Sequence, residues 1–249
     1  MYVNTTGIVL RETAYKDSSK ILTVLTADEG KLTVSARGAI RKNSKLAAST
    51  QLLVFSEMTL LRSGDRWILT EARSVEQFTG LRDGVGLLAL GAYFAELTEA
   101  VADEDSPNRE LLPLVLNALF ALSNKIRTPD LIKSAFELRL VAISGYSPML
   151  DRCAVCGATE PEGAVFDVSG GSIACGGCGG PDGAALGKGA LHAARYVISC
   201  EPKRLFSFKL SGQALSEMSD ASERYLLLQL DRGFRALDYY KGVARFAEQ

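Results

Sequence analysis

One histidine and one tryptophan in 249 residues set the first limits on this sequence. The histidine, His192, falls in a segment that reads as helix, where a single imidazole is usually a surface or internally satisfied residue. No Gly-x-Ser-x-Gly elbow frames a serine as a nucleophile. No Gly-x4-Gly-Lys-Ser/Thr loop cradles phosphates, which argues against ATP hydrolysis. Gly187-Lys188-Gly189 is too short a fragment of such a loop, and Gly84-Val85-Gly86 lacks the third glycine of a dinucleotide site. The His-x-Glu that precedes the paired cysteines of zinc deaminases is also missing. Charges interrupt each apolar run before it reaches the length of a membrane span. The N-terminus shows no basic, apolar and cleavage-site succession of a secretory leader. The expectation is a cytoplasmic protein that is not an enzyme and has no membrane partner.

What is present is ordinary in bulk and uneven in distribution. Hydrophobic residues make up 47% and charged residues 23%, as in a soluble globular protein. The net charge is −1, which excludes a chain that is basic throughout. Acidic residues outnumber basic ones between 81 and 200, whereas the window 31–50 holds Lys31, Arg37, Arg41, Lys42 and Lys45 and no acid. A concentrated basic run on a near-neutral protein points to a local anionic partner.

The first 80 residues read as strands. Gly7–Glu12, Lys20–Thr26, Lys31–Ala36, Gln51–Leu60 and Trp67–Arg73 are short, rich in β-branched residues and separated by turn residues such as Asp28-Glu29-Gly30. Leu32, Val34 and Ala36 alternate with Lys31, Thr33 and Ser35, giving one apolar face. Five such strands in about 75 residues suit a small barrel, most often the OB-fold that binds single-stranded nucleic acid. From Leu87 the period changes to that of helices: Leu87–Ala102, Leu111–Leu122 with Asn108 as N-cap, and a third from Thr128-Pro129-Asp130 to Ser144. Leu186–Ser199 and the stretch Leu215–Tyr240 read as helix again. The fold class expected is α+β, an N-terminal five-stranded OB-fold barrel followed by an α-helical domain with an inserted four-cysteine, zinc-finger-like module. The expected boundaries are 1–80 for the barrel, 81–150 for the first part of the helical domain, 151–182 for the cysteine module, and 183–249 for the second helical part.

Cys153-x2-Cys156 and Cys175-x2-Cys178, eighteen residues apart, have the spacing of a tetrathiolate zinc site. Two intervening residues allow a knuckle whose sulfurs face one ion, and Val165–Ala174 can return as a hairpin to bring in the second pair. Gly157, Gly176, Gly177, Gly179 and Gly180 supply the left-handed positions that such turns use. Four thiolates close the coordination shell, so one structural zinc is expected rather than a catalytic metal with an open position. The fifth cysteine, Cys200, lies in an apolar stretch and reads as a small buried hydrophobe.

The segment Arg37-Gly38-Ala39-Ile40-Arg41-Lys42-Asn43-Ser44-Lys45 follows a predicted barrel strand, where a solvated loop is the bland reading and phosphate contact the sharper one. Arginine forks and lysine point charges both suit phosphates. If all five cations of the window met single-strand phosphates, log K would fall with log[salt] at a slope of roughly −3.5. Aromatic stacking partners are less evident: Tyr2, Tyr15, Phe55 and Trp67 are the nearby candidates, each equally readable as barrel core.

The strings Gly7-Ile8-Val9-Leu10, Thr26-x3-Gly30-Lys31, Ala36-Arg37-Gly38-x2-Arg41-Lys42-x-Ser44 and Gly145-Tyr146-Ser147-Pro148-Met149-Leu150-Asp151-Arg152-Cys153-Ala154-Val155-Cys156-Gly157 carry a resemblance over the full length. The chain resembles the RecO family of bacterial DNA repair and recombination mediators. The resemblance implies a protein, nucleoid-associated when on DNA, that binds single- and double-stranded DNA and anneals complementary strands. It implies work with RecR and single-strand binding protein, and a functional link to RecA loading. It assigns DNA contact to Arg37, Arg41 and Lys42, with Lys31 and Lys45 beside them, and zinc to Cys153, Cys156, Cys175 and Cys178. A second reading, from a different class, is a protein–protein adaptor with a structural zinc module in which DNA contact is secondary.

Overall fold

The structure is a computed structural model that describes residues 1–104, 106, 109–178 and 183–247, the last four by backbone alone. Asn108, and the turn residues Gly179, Gly180 and Pro181, lie outside the described residues.

Five strands close a barrel: β1 (Tyr2–Tyr15), β2 (Ser19–Thr26), β3 (Lys31–Ala36), β4 (Phe55–Ser63) and β5 (Arg66–Glu76), in the order β1-β2-β3-β5-β4 with β1 also paired to β4. One long strand makes closure possible. Residues 2–8 of β1 pair with β4, residues 7–15 pair with β2, and a register shift between Val9 and Arg11 bends the strand from one neighbour to the other. Gly7 sits where both neighbours approach. A Cβ there would come within 2.8 Å of Val24 Cγ1, so only glycine fits. The last join, β3 to β5, is a short parallel pairing of Val34 with Trp67 and Ser35 with Ile68.

The alternation read in β3 holds: Leu32, Val34 and Ala36 enter the barrel core with Val9, Leu22, Val24, Met58, Leu60, Trp67 and Leu69. The observed β1, β4 and β5 reach beyond the expected ranges, β1 from Tyr2, β4 to Ser63 and β5 to Glu76, and two further differences have a plain cause. β1 runs on to Tyr15, because its polar second half still has β2 as a ladder partner. β4 starts at Phe55 rather than Gln51. The apolar run before it reads as strand, but Leu53 adopts the left-handed conformation (φ 65°) and turns its side chain against Gly91.

Among the described residues six α-helices follow: α1 (Val85–Val101), α2 (Leu111–Ser123), α3 (Pro129–Ile143), α4 (Lys188–Ser199), α5 (Gly212–Gln229) and α6 (Arg235–Ala247). The stretch expected from Leu215 to Tyr240 is two helices, separated where Asp231 takes a positive φ of 48° ahead of Gly233. Thr128 precedes α3 in extended conformation, but its hydroxyl makes no capping bond, and Pro129 in the first turn starts the helix instead.

By contact, the chain forms two compact units, Met1–Ser123 with the chain from Phe234 onward, and Asn124–Gly233. The division by contact and the division expected from composition draw different lines. In the first unit, α6 returns to α1. Phe234 meets the ring of Tyr93 edge-on at 5.9 Å, and the Glu96 carboxylate accepts from the backbone N–H groups of Arg235 (3.3 Å) and Ala236 (2.9 Å) at the start of α6. In the second unit, α3 and α5 enclose a charged group that no sequence pattern announces. Lys133, 3% exposed, lies 2.8 Å from Glu137 and 2.9 Å from Glu223, while Ser222 donates to Glu137 at 2.8 Å. A buried ammonium is tolerable only because these carboxylates surround it. Among the described residues, no helix is long and apolar enough to cross a membrane.

Candidate nucleic-acid interface and metal centre

The basic loop is a chain of turns pinned to the barrel. Backbone bonds Arg41 N–H to Gly38 O (3.1 Å), Ser44 N–H to Arg41 O (3.0 Å) and Ala47 N–H to Ser44 O (3.2 Å) close three successive turns. Ala39 anchors it, 1% exposed within the barrel core, and Leu46 packs on the same cluster. Thr50, fully buried, locks the far end with its hydroxyl on Leu46 O at 2.7 Å. With Ala39 and Leu46 turned inward, Arg37, Arg41, Lys42 and Lys45 are left exposed, and Ile40 is 44% exposed beside them. Among the described residues none of these four side chains has a hydrogen-bond or ion-pair partner. Gly38 (φ 70°) makes the first turn, and the Arg41 side chain lies 3.6 Å from where a Cβ on Gly38 would sit. A substitution there would strain the backbone, while its Cβ would meet the Arg41 side chain at an ordinary contact distance.

Lys31 stands apart from the other four. It opens β3, six residues before Arg37, a run of about 20 Å along an extended strand. Its ammonium donates to Glu99 O at 3.1 Å, near the carbonyl end of α1, and its amide donates to Asp103 O. That is a helix C-terminal contact of the kind the macrodipole favours. The aromatic residues also separate. Trp67 is 7% exposed within the core, Phe55 is half-buried, and Tyr2 and Tyr15 are exposed at 67% and 47%.

The cysteine module is built from four short strands. β6 (Met149–Cys153), β7 (Val165–Asp167), β8 (Ser172–Ala174) and β9 (Ala184–Ala185) lie in the order β6-β8-β7-β9. The expected hairpin is β7 with β8, closed by Asp167, whose backbone carbonyl accepts from Gly171 N–H and whose carboxylate accepts from Ser169. The hairpin returns Cys175 and Cys178 to the first pair, and all four sulfurs lie within 4.8 Å of one another. Gly157 takes the left-handed conformation (φ 78°) as expected, but Gly176 and Gly177 do not. They belong to the 3-10 turn Gly176–Cys178, which needs no positive φ.

The donor set fits a tetrahedral cation. Bonds of ~2.3 Å would set sulfurs about 3.8 Å apart, and Cys156 Sγ and Cys175 Sγ are 3.6 Å apart. Cys153 Sγ accepts backbone N–H groups from Cys156 (3.5 Å) and Cys175 (3.3 Å), the amide donors that stabilise a thiolate. Those amides pull the Cys153 thiol down to about 6. Burial, with the Cys156 sulfur beside it, pushes Cys175 up to about 12, and the Cys156 sulfur with burial raises Cys178. Four sulfurs this close resist shared ionisation, and a cation among them removes the conflict. The four cysteines can therefore hold a metal ion. Cys200 is half-buried at the end of α4.

Sequence reasoning missed the residue that holds the module's first knuckle. Arg195 of α4 donates to the carbonyls of Leu150 (2.7 Å), Asp151 (3.1 Å) and Thr159 (2.7 Å), which bracket Cys153 and Cys156, and it pairs with Glu160 at 3.1 Å. His192, one turn earlier on α4, meets the same Glu160 at 3.1 Å. The His192 and Arg195 contacts hold the Glu160 carboxyl below its usual range. A guanidinium satisfied by carbonyls distant in sequence leaves no local motif, so only the fold exposes it.

Comparison with known proteins gives a consistent assignment. The family model described as Recombination protein O N terminal matches residues 1–78, and Recombination protein O C terminal matches 85–238. The chain is 32% identical over 246 residues to the DNA repair protein RecO of Acetivibrio thermocellus, covering 98% of each. It is 28% identical over 246 residues to that of Alkaliphilus metalliredigens, covering 98% of this chain and 100% of the other. It is 33% identical over 237 residues to that of Listeria monocytogenes serotype 4b, covering 95% and 89%. With both halves matched in order, and with the barrel and cysteine cluster in place, the chain belongs to the RecO family of DNA repair proteins.

Proposed function

We propose that this chain is a non-enzymatic recombination mediator that binds single- and double-stranded DNA through the basic loop of its barrel and promotes strand annealing. In this reading it works with RecR and single-strand binding protein in loading RecA. The observation that carries the DNA contact is the set Arg37, Arg41, Lys42 and Lys45, exposed on a pinned loop without partners of their own among the described residues. Unpaired cations cost little in water and become valuable when phosphates displace their counterions. Two strands brought to one such loop repel each other less, which favours pairing. Lys31 is committed to α1 and is left out of the DNA face. Four phosphate contacts predict a salt slope of roughly −2.8 on single strands rather than −3.5.

The test is Arg37→Glu with Arg41→Glu. Annealing of complementary oligonucleotides is expected to disappear while the melting temperature stays within a few degrees of wild type. Unchanged annealing would refute the reading. In the same proposal, Cys153, Cys156, Cys175 and Cys178 hold one structural zinc, which supplies a folding constraint and takes no part in DNA contact.

One observation favours the adaptor reading as the second choice: Met149 and Val155 in the cysteine module are 65% and 66% exposed. Retained repair activity in the charge-reversal double variant, together with its loss in Val155→Glu, would decide for the adaptor.

A further inference from the structure

We propose that Tyr15 is a base-stacking platform that gives the basic loop its preference for unpaired strands. The inference rests on the reading of that loop as a DNA contact, and it names the form of DNA the loop selects. A basic loop alone distinguishes poorly between strand and duplex, because both present phosphates. A flat, exposed aromatic face beside the phosphate track does distinguish them, because only unpaired bases can turn onto it.

Four observations single out Tyr15. Its ring is exposed, although the residue belongs to a paired strand. It stands at the mouth of the three-residue β1–β2 turn, paired with Ser19, so the ladder fixes its backbone. The turn is joined to the basic loop at two points: Ile40 N–H donates to Ser18 O at 3.1 Å, and Gly38 N–H reaches Ser19 Oγ at 3.4 Å. Lys16, in the left-handed conformation (φ 54°), holds its ammonium over one face of the Tyr15 ring, 5.3 Å from the centroid, so a base would stack on the other face beside an exposed cation. Asp17 is the one acid in the turn.

The other aromatic residues do not meet these conditions. Trp67 is in the core, beneath the Arg62 guanidinium, and Phe55 is half-buried. Tyr2 is exposed but lies at the opposite end of β1, beside Leu61 of β4. Among the described residues, Tyr15 alone combines an exposed ring with a turn bonded to Gly38 and Ile40. A nucleotide chain following Arg37 and Arg41 would bring a base to that ring and a phosphate to Lys16.

The experiment measures binding of an oligothymidylate strand and of a duplex of equal length, at two salt concentrations, by wild type, Tyr15→Ala, Tyr15→Leu and Tyr15→Phe. Stacking contributions correspond to about a 5- to 150-fold rise in Kd for the single strand in Tyr15→Ala. The salt slope and the duplex Kd are expected to stay at wild-type values. Tyr15→Leu should behave as Tyr15→Ala, and Tyr15→Phe as wild type, because the ring matters and the hydroxyl does not. Equal losses on strand and duplex, or no loss on the strand, would overturn the proposal. A silent Tyr15→Ala beside an inactive Arg37→Glu/Arg41→Glu variant would remove the stacking role alone. A charge-reversal variant that binds as wild type does would remove the loop reading, and the stacking role with it.

Discussion

The basic loop and the cysteine module treat their polar groups in opposite ways. In the module, the Cys153 sulfur accepts two backbone amides, and Arg195 spends its guanidinium on three carbonyls and a carboxylate. In the loop, the backbone is closed by turns and anchored by Ala39 and Leu46, and the four cations are left in water. Internal satisfaction is what a folding device needs. Charge left without an internal partner is what an electrostatic binding surface needs. The contrast separates the strongest motif in the sequence, the paired cysteines, from the surface to which we assign DNA contact.

If that separation is right, disabling one region should spare the other. The largest effect is expected from Cys175→Ser. Structural zinc in small modules contributes on the order of 10 kcal/mol of apparent binding free energy. The variant should lose near-stoichiometric metal, and backbone amides of 149–178 should lose hydrogen-exchange protection, while single-strand affinity is retained. A parallel fall in DNA affinity would join the two regions and break the comparison. Next in size, Arg37→Glu/Arg41→Glu should reduce the single-strand salt slope from roughly −2.8 to −1.4 or shallower, since at least two of four phosphate contacts are gone. Metal content should not change.

The two regions were also legible in the sequence to different depths. The cysteine spacing announced the module, including its hairpin, because two residues between ligands leave the chain few geometries. The alternation of Leu32, Val34 and Ala36 announced the barrel, because its core faces one side of each strand. What stayed hidden depends on contacts between distant segments. The contact of Lys31 with the Glu99 carbonyl of α1, which sets it apart from the four cations of the loop, is one of these. Leu53 looked like strand until a left-handed turn set it against Gly91. Tyr15 could be read equally as core or surface, because one residue of register decides which face it occupies. The Lys133–Glu137–Glu223 group spans two helices, and only its i, i+4 pair was adjacent in sequence.

Arg195 sharpens the comparison from within the module. It touches no sulfur, yet its carbonyl partners lie on both sides of the Cys153–Cys156 knuckle. Groups that orient metal ligands from outside the coordination shell are commonly worth 10- to 100-fold in metal affinity. Arg195→Ala should raise the zinc dissociation constant by about that factor in competition with a chromophoric chelator, at unchanged 1:1 stoichiometry. Arg195→Lys, which keeps the charge but cannot reach several carbonyls at once, should recover little. Full recovery by lysine would mean that charge, not the multi-carbonyl clamp, is what matters.

The smallest effect belongs to Glu160, which pairs with Arg195 and His192 at the surface. Its carboxyl is held below the usual range, first by the His192 hydrogen bond, so it binds fewer protons in the folded protein than in the unfolded chain. Its contribution is therefore complete above the ordinary carboxylate range and disappears as pH falls through the lowered value. Because the pair is largely exposed, salt and solvent screen it. Wild type and Glu160→Gln should differ slightly in melting temperature at neutral pH and low salt, and converge both in acid and at high salt. A difference that persisted in acid would assign Glu160 a packing role rather than an electrostatic one. The clamp on the knuckle would then rest on Arg195 and the three carbonyls it already satisfies.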